Sequence, residues 1–259
     1  MSSKRKLLSA LIVLALLISV MPVSAFASNG SLVNSQFPDM PDDWSTPALE
    51  SAIYNGLLNG IDGKIVPDEN LTRAQMATIV VRAFGAIVKG DITAFPDVKP
   101  SDWFSDYLAK AYQMGIIKGA DGKMKPDDAI TREEVFVILA RALKLAPSDT
   151  VNKNFLDLGD LSTWAKGETY SLINSGYING SNGYLFPKQN ITRAETAQMF
   201  FNIIKQYFSL EGTYTAVDSG NIMVNAPDIT LKDVTVSGDL IVGDGVGDGD
   251  LILDNVKID

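Results

Sequence analysis

The chain has 259 residues, of which 46% are hydrophobic and 20% are charged, a composition typical of a globular protein. It contains no histidine and no cysteine. These absences exclude imidazole acid–base catalysis, thiol nucleophiles, disulfides and zinc sites built from His or Cys. Because the net charge is −9, the overall field opposes binding to nucleic acid, and any anionic partner has to be bound by local groups.

The first 27 residues have the pattern of a secretory signal peptide. Basic residues at positions 4–6 precede an apolar run from Leu7 to Val20, and a small-x-small cleavage site ends at Ala27. The 14-residue run is shorter than the ~20 residues that span a bilayer, which argues against a membrane anchor. We predict an exported chain, cleaved after Ala27 or after Ala25, with a net charge of −12 and a short linker over residues 28–36.

Three segments with one shared pattern follow, defined here as repeat 1 (residues 37–90), repeat 2 (91–150) and repeat 3 (151–208). Each contains Phe-x-Asp, a Trp, a Gly followed by two apolar residues, an Asp-Gly or Asn-Gly pair, a Pro and a Thr-Arg pair. The Arg lies 29 residues after the Trp in every copy. This fixed order indicates one supersecondary unit repeated in tandem.

Each repeat is predicted to form helix, turn, helix. The first helix runs from the Trp to a Gly that ends it in the left-handed conformation, and Asp-Gly or Asn-Gly then reverses the chain. The second helix begins with a capping box in all three copies: Thr72/Gln75, Thr131/Glu134 and Thr192/Glu195. One helical hairpin buries too little apolar surface to be stable alone, so we expect the three repeats to pack together.

This order of features resembles the S-layer homology (SLH) domain, in three consecutive copies from residue 37 to about 206. The resemblance implies a mainly α fold in which three helix-turn-helix repeats form a pseudo-threefold bundle. It also implies non-covalent anchoring of a secreted protein to a Gram-positive-type cell surface, through secondary cell-wall polysaccharide bound in grooves between repeats. The implied ligand is an anionic glycan that often carries pyruvylated N-acetylmannosamine, and no cofactor, metal or catalytic residue is expected.

One arginine per repeat is predicted at the first position of the second helix: Arg73, Arg132 and Arg193. A cation there opposes the helix dipole by about 0.3–1 kcal/mol, whereas the free N–H groups at the same end attract an anion. A bound anion satisfies both, and the guanidinium fork matches a carboxylate such as a pyruvate ketal. The alternative is a structural ion pair with Asp68 or Asp127, at a position that is Lys188 in repeat 3.

Three further sets of repeated residues are candidates for glycan binding. One Trp per repeat can stack on a sugar ring or anchor the core: Trp44, Trp103 and Trp164. One Asp can accept bonds from sugar hydroxyls, or cap the first helix and hold the loop: Asp39, Asp97 and Asp157. One Gly permits close approach of a ligand or provides a turn with positive φ: Gly60, Gly119 and Gly180.

The three copies differ at positions near the arginines. Gln75 replaces Glu in repeat 1, Glu133 replaces Ala in repeat 2, and Lys188 replaces Asp in repeat 3. We therefore expect the grooves to have unequal affinities. Glu133, next to an arginine, is expected to weaken an anion site there.

Residues 209–259 have the alternation of β-strands, which begins near Gly212. Apolar residues at Ile229, Leu231, Val234 and Val236 recur 22 residues later, a spacing that looks like the rungs of a parallel β-solenoid. Two rungs are too few to bury a core, so we expect this chain to be part of a longer protein. The Asp/Gly-rich run over residues 243–250 lacks the Glu of an EF-hand loop, which favours a flexible turn over a calcium site.

Two other functions remain open. The repeats can anchor a polysaccharide-degrading exoenzyme whose catalytic part lies beyond this chain, since residues 212–259 contain no catalytic constellation. The chain can also belong to a structural subunit that self-associates into a surface lattice.

Overall fold

The computed structural model describes residues 37–259, so the predicted signal peptide and linker lie outside the described residues. The helices are α1 (Thr46–Tyr54), α2 (Arg73–Phe84), α3 (Ser105–Gln113), α4 (Arg132–Ala142), α5 (Lys166–Asn174) and α6 (Arg193–Ile203). Short 3₁₀ turns lie at Leu158–Asp160, Thr163–Ala165 and Asp244–Val246. Each repeat thus contributes two α-helices, as predicted.

The local signals for these helices are confirmed. All three predicted capping boxes form at the starts of α2, α4 and α6. The glycines after the first helices are left-handed: Gly56, Gly115 and Gly176, with φ of 67°, 72° and 74°. Only the beginning of the first helices differs from the prediction, because α1 begins at Thr46, two residues after Trp44.

The two helices of a repeat do not pack chiefly on each other. Instead α2 packs on α3, α4 packs on α5, and α6 packs on α1. The second helix of each repeat therefore lies against the first helix of the next, and the last repeat returns to the first. The expected hairpin within a repeat is corrected in this respect, because the partner helix comes from a neighbour.

A ring of backbone hydrogen bonds links the three repeats within the helical body, which we define as helices α1 to α6 with their connecting turns. Leu71 N donates to Ile191 O (3.0 Å), Ile191 N to Ile130 O (3.1 Å), and Ile130 N to Leu71 O (3.0 Å). All three residues are fully buried, and each directly precedes the capping Thr of its second helix. The repeats are therefore linked in the order 1-2-3-1.

The remaining chain forms short parallel strands. They are β1 (Gln206–Phe208), β2 (Gly212–Tyr214), β3 (Ile222–Val224), β4 (Ile229–Lys232), β5 (Thr235–Val236), β6 (Leu240–Val242), β7 (Leu251–Asp254) and β8 (Lys257–Ile258). They pair in the orders β1-β3-β6, β2-β4-β7 and β5-β8. The predicted register of 22 residues is confirmed, since Ile229 lies opposite Leu251 and Val236 opposite Ile258.

The strands begin earlier than predicted. Strand β1 starts at Gln206, because Ile204 already has extended backbone angles (φ −125°, ψ 122°) at the end of α6. Strand β1 therefore lies just before the expected boundary between residues 208 and 209, within the range of repeat 3.

The strand segment packs directly on the helical body. Met223 of β3 is fully buried in the same apolar cluster as residues of α2 and α6. Asn225 Nδ2 donates to Ala83 O (2.9 Å) near the end of α2. A Cβ added at Gly245 would lie 2.0 Å from Asn225 O, and one at Gly243 would lie 2.5 Å from Phe84 O. The run over residues 243–250 is therefore a packed turn at its start, and the prediction of a flexible turn is wrong there.

None of the helices within residues 37–259 is both long and apolar enough for a bilayer crossing. Within the same range, no three acidic side chains come together in an arrangement that could bind a metal ion.

Candidate functional site

The three predicted arginines lie at the interfaces between repeats. Each occupies the first position of its second helix, and its Nε donates to a backbone carbonyl of the next repeat. The acceptors are Met124 O for Arg73 (3.1 Å), Leu185 O for Arg132 (2.7 Å) and Ile65 O for Arg193 (2.7 Å). These bonds fix the plane of each guanidinium against the neighbouring turn.

Two of the arginines form ion pairs with the capping-box glutamate of the next repeat. Arg73 Nη1 lies 2.5 Å from Glu134 Oε1, and Arg132 Nη1 lies 2.9 Å from Glu195 Oε1. In each glutamate the other oxygen accepts from the N–H of its own capping Thr. The partners predicted from the sequence, Asp68 and Asp127, are exposed and do not take part. These two arginines thus form structural ion pairs, as the alternative interpretation expected, but with glutamates of the next repeat.

The third arginine has a different environment. Arg193 is only 3% exposed, and its Nη2 donates to Asn59 O (2.7 Å). Among the described residues no carboxylate lies at ion-pair distance from it. Burial lowers the pKa of this guanidinium, while the charges of Glu69 and Asp39 oppose that shift.

A groove with a volume of about 380 Å³ opens beside Arg132. Its lining includes Trp44 from repeat 1, Arg132 from repeat 2 and Gly180 from repeat 3. Three of the four predicted kinds of site residue therefore meet in one groove, each from a different repeat. This convergence follows from the cyclic packing of the helices.

The tryptophans do not anchor the core. Trp44, Trp103 and Trp164 are 59%, 60% and 54% exposed, so each indole presents a large apolar surface to solvent. The core interpretation of these residues is wrong. An exposed indole beside polar side chains is suited to stacking on the apolar face of a sugar ring.

The aspartates hold the turns that precede the second helices. Asp39 accepts from Ile65 N (2.8 Å) and Val66 N (2.9 Å), and Asp97 accepts from Met124 N (3.1 Å) and Lys125 N (2.7 Å). Asp157 makes the same bonds in repeat 3. The structure thus assigns them the loop-holding role, and they do not cap the first helices.

The candidate glycines make room for a phenylalanine ring of their own repeat. A Cβ added at Gly60, Gly119 or Gly180 would lie 2.3, 2.6 or 2.6 Å from the ring of Phe37, Phe95 or Phe155. The predicted positive φ is present at Gly119 and Gly180, whereas Gly60 adopts an ordinary φ. Packing therefore explains all three glycines, and Gly180 also lines the groove.

Glu133 is not free to repel an anion. It is 4% exposed and accepts from Lys188 Nζ (2.6 Å) and from the N and Oγ of Ser162 (both 2.9 Å). The two unusual residues of repeats 2 and 3 therefore pair with each other. The charge that was expected to weaken the neighbouring anion site is balanced.

Sequence reasoning missed several groove residues. Gln198 and Asn202 line the groove from α6, and Gln198 Nε2 donates to Asn202 Oδ1 (2.8 Å). Their spacing of four residues, which places both amide side chains on one face of the helix, was a usable signal. The pairing of Arg73 with Glu134, 61 residues apart, gave no local signal at all.

Comparison with known families bears on the repeats. The sequence profile of the S-layer homology domain matches residues 36–77 and 94–136, which cover the defining motifs of repeats 1 and 2. The chain thus contains S-layer homology domains in these two segments. Repeat 3 has the same capping box, the same bond from the arginine Nε to a backbone carbonyl, and the same aspartate contacts as the two matched repeats.

The chain is similar to both S-layer proteins and enzymes. S-layer protein EA1 of Bacillus anthracis is 29% identical over 241 residues, which are 85% of this chain and 27% of that protein. An exoglucanase of Acetivibrio thermocellus is 30% identical over 176 residues, 66% of this chain and 16% of the enzyme. An amylopullulanase of Thermoanaerobacterium thermosulfurigenes is 29% identical over 176 residues, 66% of this chain and 10% of the enzyme.

The chain thus spans less than a third of the length of these relatives. The SLH match together with the S-layer relatives indicates a secreted protein of the bacterial cell surface.

Proposed function

We propose that this chain anchors a secreted protein non-covalently to the cell wall by binding secondary cell-wall polysaccharide between its repeats. The observation that carries the proposal is the groove in which Trp44, Arg132 and Gly180 meet. Its volume of about 380 Å³ lies within the range of ligand pockets, ~300–1,000 Å³.

The lining of the groove suits a glycan. The indole of Trp44 offers an apolar face for a sugar ring, while Asn179, Gln198 and Asn202 offer amide donors and acceptors for hydroxyl groups. An interface arginine without a carboxylate partner in the described part of the chain, such as Arg193, suits an acidic substituent, for example the carboxylate of a pyruvylated N-acetylmannosamine. The aspartates are not needed for this role, because their carboxylates bind the neighbouring turns.

Binding at more than one repeat interface of the same body would give a repeating polymer an avidity above that of any single interface. The proposed architecture is a pseudo-threefold bundle followed by a solenoid-like segment. The closed ring of hydrogen bonds supports the bundle, and the parallel strand ladders support the solenoid-like segment.

The test is co-sedimentation of residues 28–259 with purified Gram-positive walls, before and after the secondary polymer is stripped. We expect binding that is lost on stripping, and that is weakened at least about fivefold (~1 kcal/mol) by Trp44→Ala. Leu210→Ala is the matched control, because Leu210 is an exposed apolar residue (74%) of the strand segment. Undiminished binding to stripped walls would contradict the proposal and point to peptidoglycan.

A lattice-forming S-layer subunit is the second candidate. The similarity to S-layer protein EA1 covers 85% of the chain and therefore extends beyond the helical repeats. Ordered sheets of the purified full-length protein in electron micrographs would support this role, which is compatible with wall anchoring. The anchored exoenzyme rests on the exoglucanase and amylopullulanase relatives alone, and hydrolysis of glucan by the full-length protein would support it.

A further inference from the structure

The three interfaces between repeats differ in one contact, the partner of the arginine that begins each second helix. In two of them a capping-box glutamate supplies the carboxylate, in the pairs Arg73–Glu134 and Arg132–Glu195. The cyclic order of the repeats assigns the capping-box residue of repeat 1 to Arg193. That residue is Gln75.

Gln75 forms its capping box as the glutamates do. Its Oε1 accepts from Thr72 N (3.0 Å), and its own N–H donates to Thr72 Oγ1 (3.2 Å). The second terminal atom of this side chain is Nε2, which is a hydrogen-bond donor. Where Glu134 and Glu195 give an acceptor to an arginine, Gln75 has only a donor to give.

Arg193 is left with an unneutralised charge in a buried place. Its Nε and Nη2 donate to Ile65 O and Asn59 O, and no described residue accepts a hydrogen bond from Nη1. Asp39 and Glu69 are the acidic residues that act on it, but neither is at ion-pair distance, and Asp39 holds the adjacent turn. Because a guanidinium stays protonated in proteins, this buried cation lacks a counter-ion.

Resting on the proposed function, we infer that Arg193, at the interface between repeats 3 and 1, selects the acidic substituent of the wall polymer. A carboxylate of the ligand takes the place that Glu134 and Glu195 occupy in the other two interfaces, between Arg193 Nη1 and Gln75 Nε2. Those other two arginines are already neutralised, so their grooves bind the uncharged parts of the glycan.

The decisive variant is Gln75→Glu. It supplies the missing carboxylate and keeps an oxygen for Thr72 N, so the helix start and the fold are retained. The probes are secondary polymer that carries pyruvate ketals and the same polymer after mild acid has removed them. For the variant we expect affinity for the ketal-bearing polymer to fall about tenfold. Affinity for the acid-treated polymer is expected to change less than about twofold.

Glu134→Gln is the matched control, because it makes the reverse change at an equivalent capping box. It frees Arg73 and is expected to keep, or increase, the preference for the ketal-bearing polymer. A folded Gln75→Glu variant with an unchanged preference would overturn the inference, and so would an equal loss of preference in both variants. If the unaltered protein binds neither polymer nor any wall, the proposed function itself fails, which is a distinct result.

Discussion

Each repeat uses one aspartate to fix a strained turn. One residue in the turn before each second helix has a positive φ: Val66 (45°), Lys125 (51°) and Phe186 (54°). Residues that carry a Cβ rarely adopt such values. The aspartate of the same repeat accepts the N–H of each of these residues. Burial alone would raise the pKa of Asp39 and Asp97, but the backbone donors outweigh it, so each pKa lies below its usual 3.8.

These lowered pKa values predict a pH dependence of stability. A carboxyl group whose pKa is depressed by folding stabilises the protein fully above its unfolded pKa, and this stabilisation is lost as the pH falls through the folded value. We expect Asp97→Asn to lower the free energy of unfolding by about 1 kcal/mol at pH 6, and by less at pH 3. Urea unfolding at the two pH values measures this.

Asp127→Asn is the control for that substitution, because Asp127 is exposed and bound to no turn. It should change stability by less than about 0.5 kcal/mol at both pH values. A gap between Asp97→Asn and the unaltered protein that stays constant from pH 6 to pH 3 would refute the proposed role of the charge.

The glycines predict a second effect at this scale. A Cβ at Gly119 would lie 2.6 Å from the Phe95 ring and 2.8 Å from Lys123 O, and its φ is 73°. Gly119→Ala is therefore expected to destabilise by about 1–3 kcal/mol, measured by thermal unfolding. Gly159→Ala, where nothing lies within 4 Å and φ is ordinary, should be close to neutral. Equal melting temperatures for the two variants would contradict this reading.

At the scale of elements, α4 is connected to repeat 3 by a buried carboxylate. Glu133 accepts from Ser162 and Lys188, which lie on either side of α5 in the sequence. Glu133→Ala should cost about 2 kcal/mol, because the Ser162 N–H loses its acceptor. Lys188→Ala should cost about 1 kcal/mol or less, since the lysine is half exposed.

A double-mutant cycle separates the two contributions. We expect a coupling of at least about 0.5 kcal/mol between Glu133 and Lys188 in urea unfolding. The exposed pair Lys125–Asp121 provides the comparison and should show almost none. Additive effects at Glu133 and Lys188 would mean that their contact contributes nothing to stability.

The features of these elements that could be predicted from the sequence are those that depend on residues close together in the chain. The capping boxes and left-handed glycines depend on contacts three or four residues apart, so their sequence patterns located α2, α4 and α6 correctly. The partner of Arg73 lies in another repeat, and finding Glu134 required knowing which repeat packs on which. The groove could not be predicted for the same reason, because no pattern within one repeat places Trp44 beside Arg132.

At the scale of the whole molecule, no repeat is complete without the others. Helix α1 packs on α6, and Leu71 N donates to Ile191 O, so repeat 1 depends on repeat 3. We predict that residues 28–150 alone show little helix in far-ultraviolet circular dichroism and no cooperative melting. A chain ending at residue 254, which lacks only β8, serves as the control and should fold. Cooperative unfolding of residues 28–150 would show that the ring is dispensable.

The closed order of the repeats also limits how such a chain can change through gene duplication. Every second helix already has a first helix as its partner, so an added fourth repeat would find no vacant position in the ring. Each strand, in contrast, pairs only with its equivalents before and after it, and a ladder of that kind can grow by one turn at a time. We therefore expect descendants to multiply the helical body in sets of three and the strand segment in single steps.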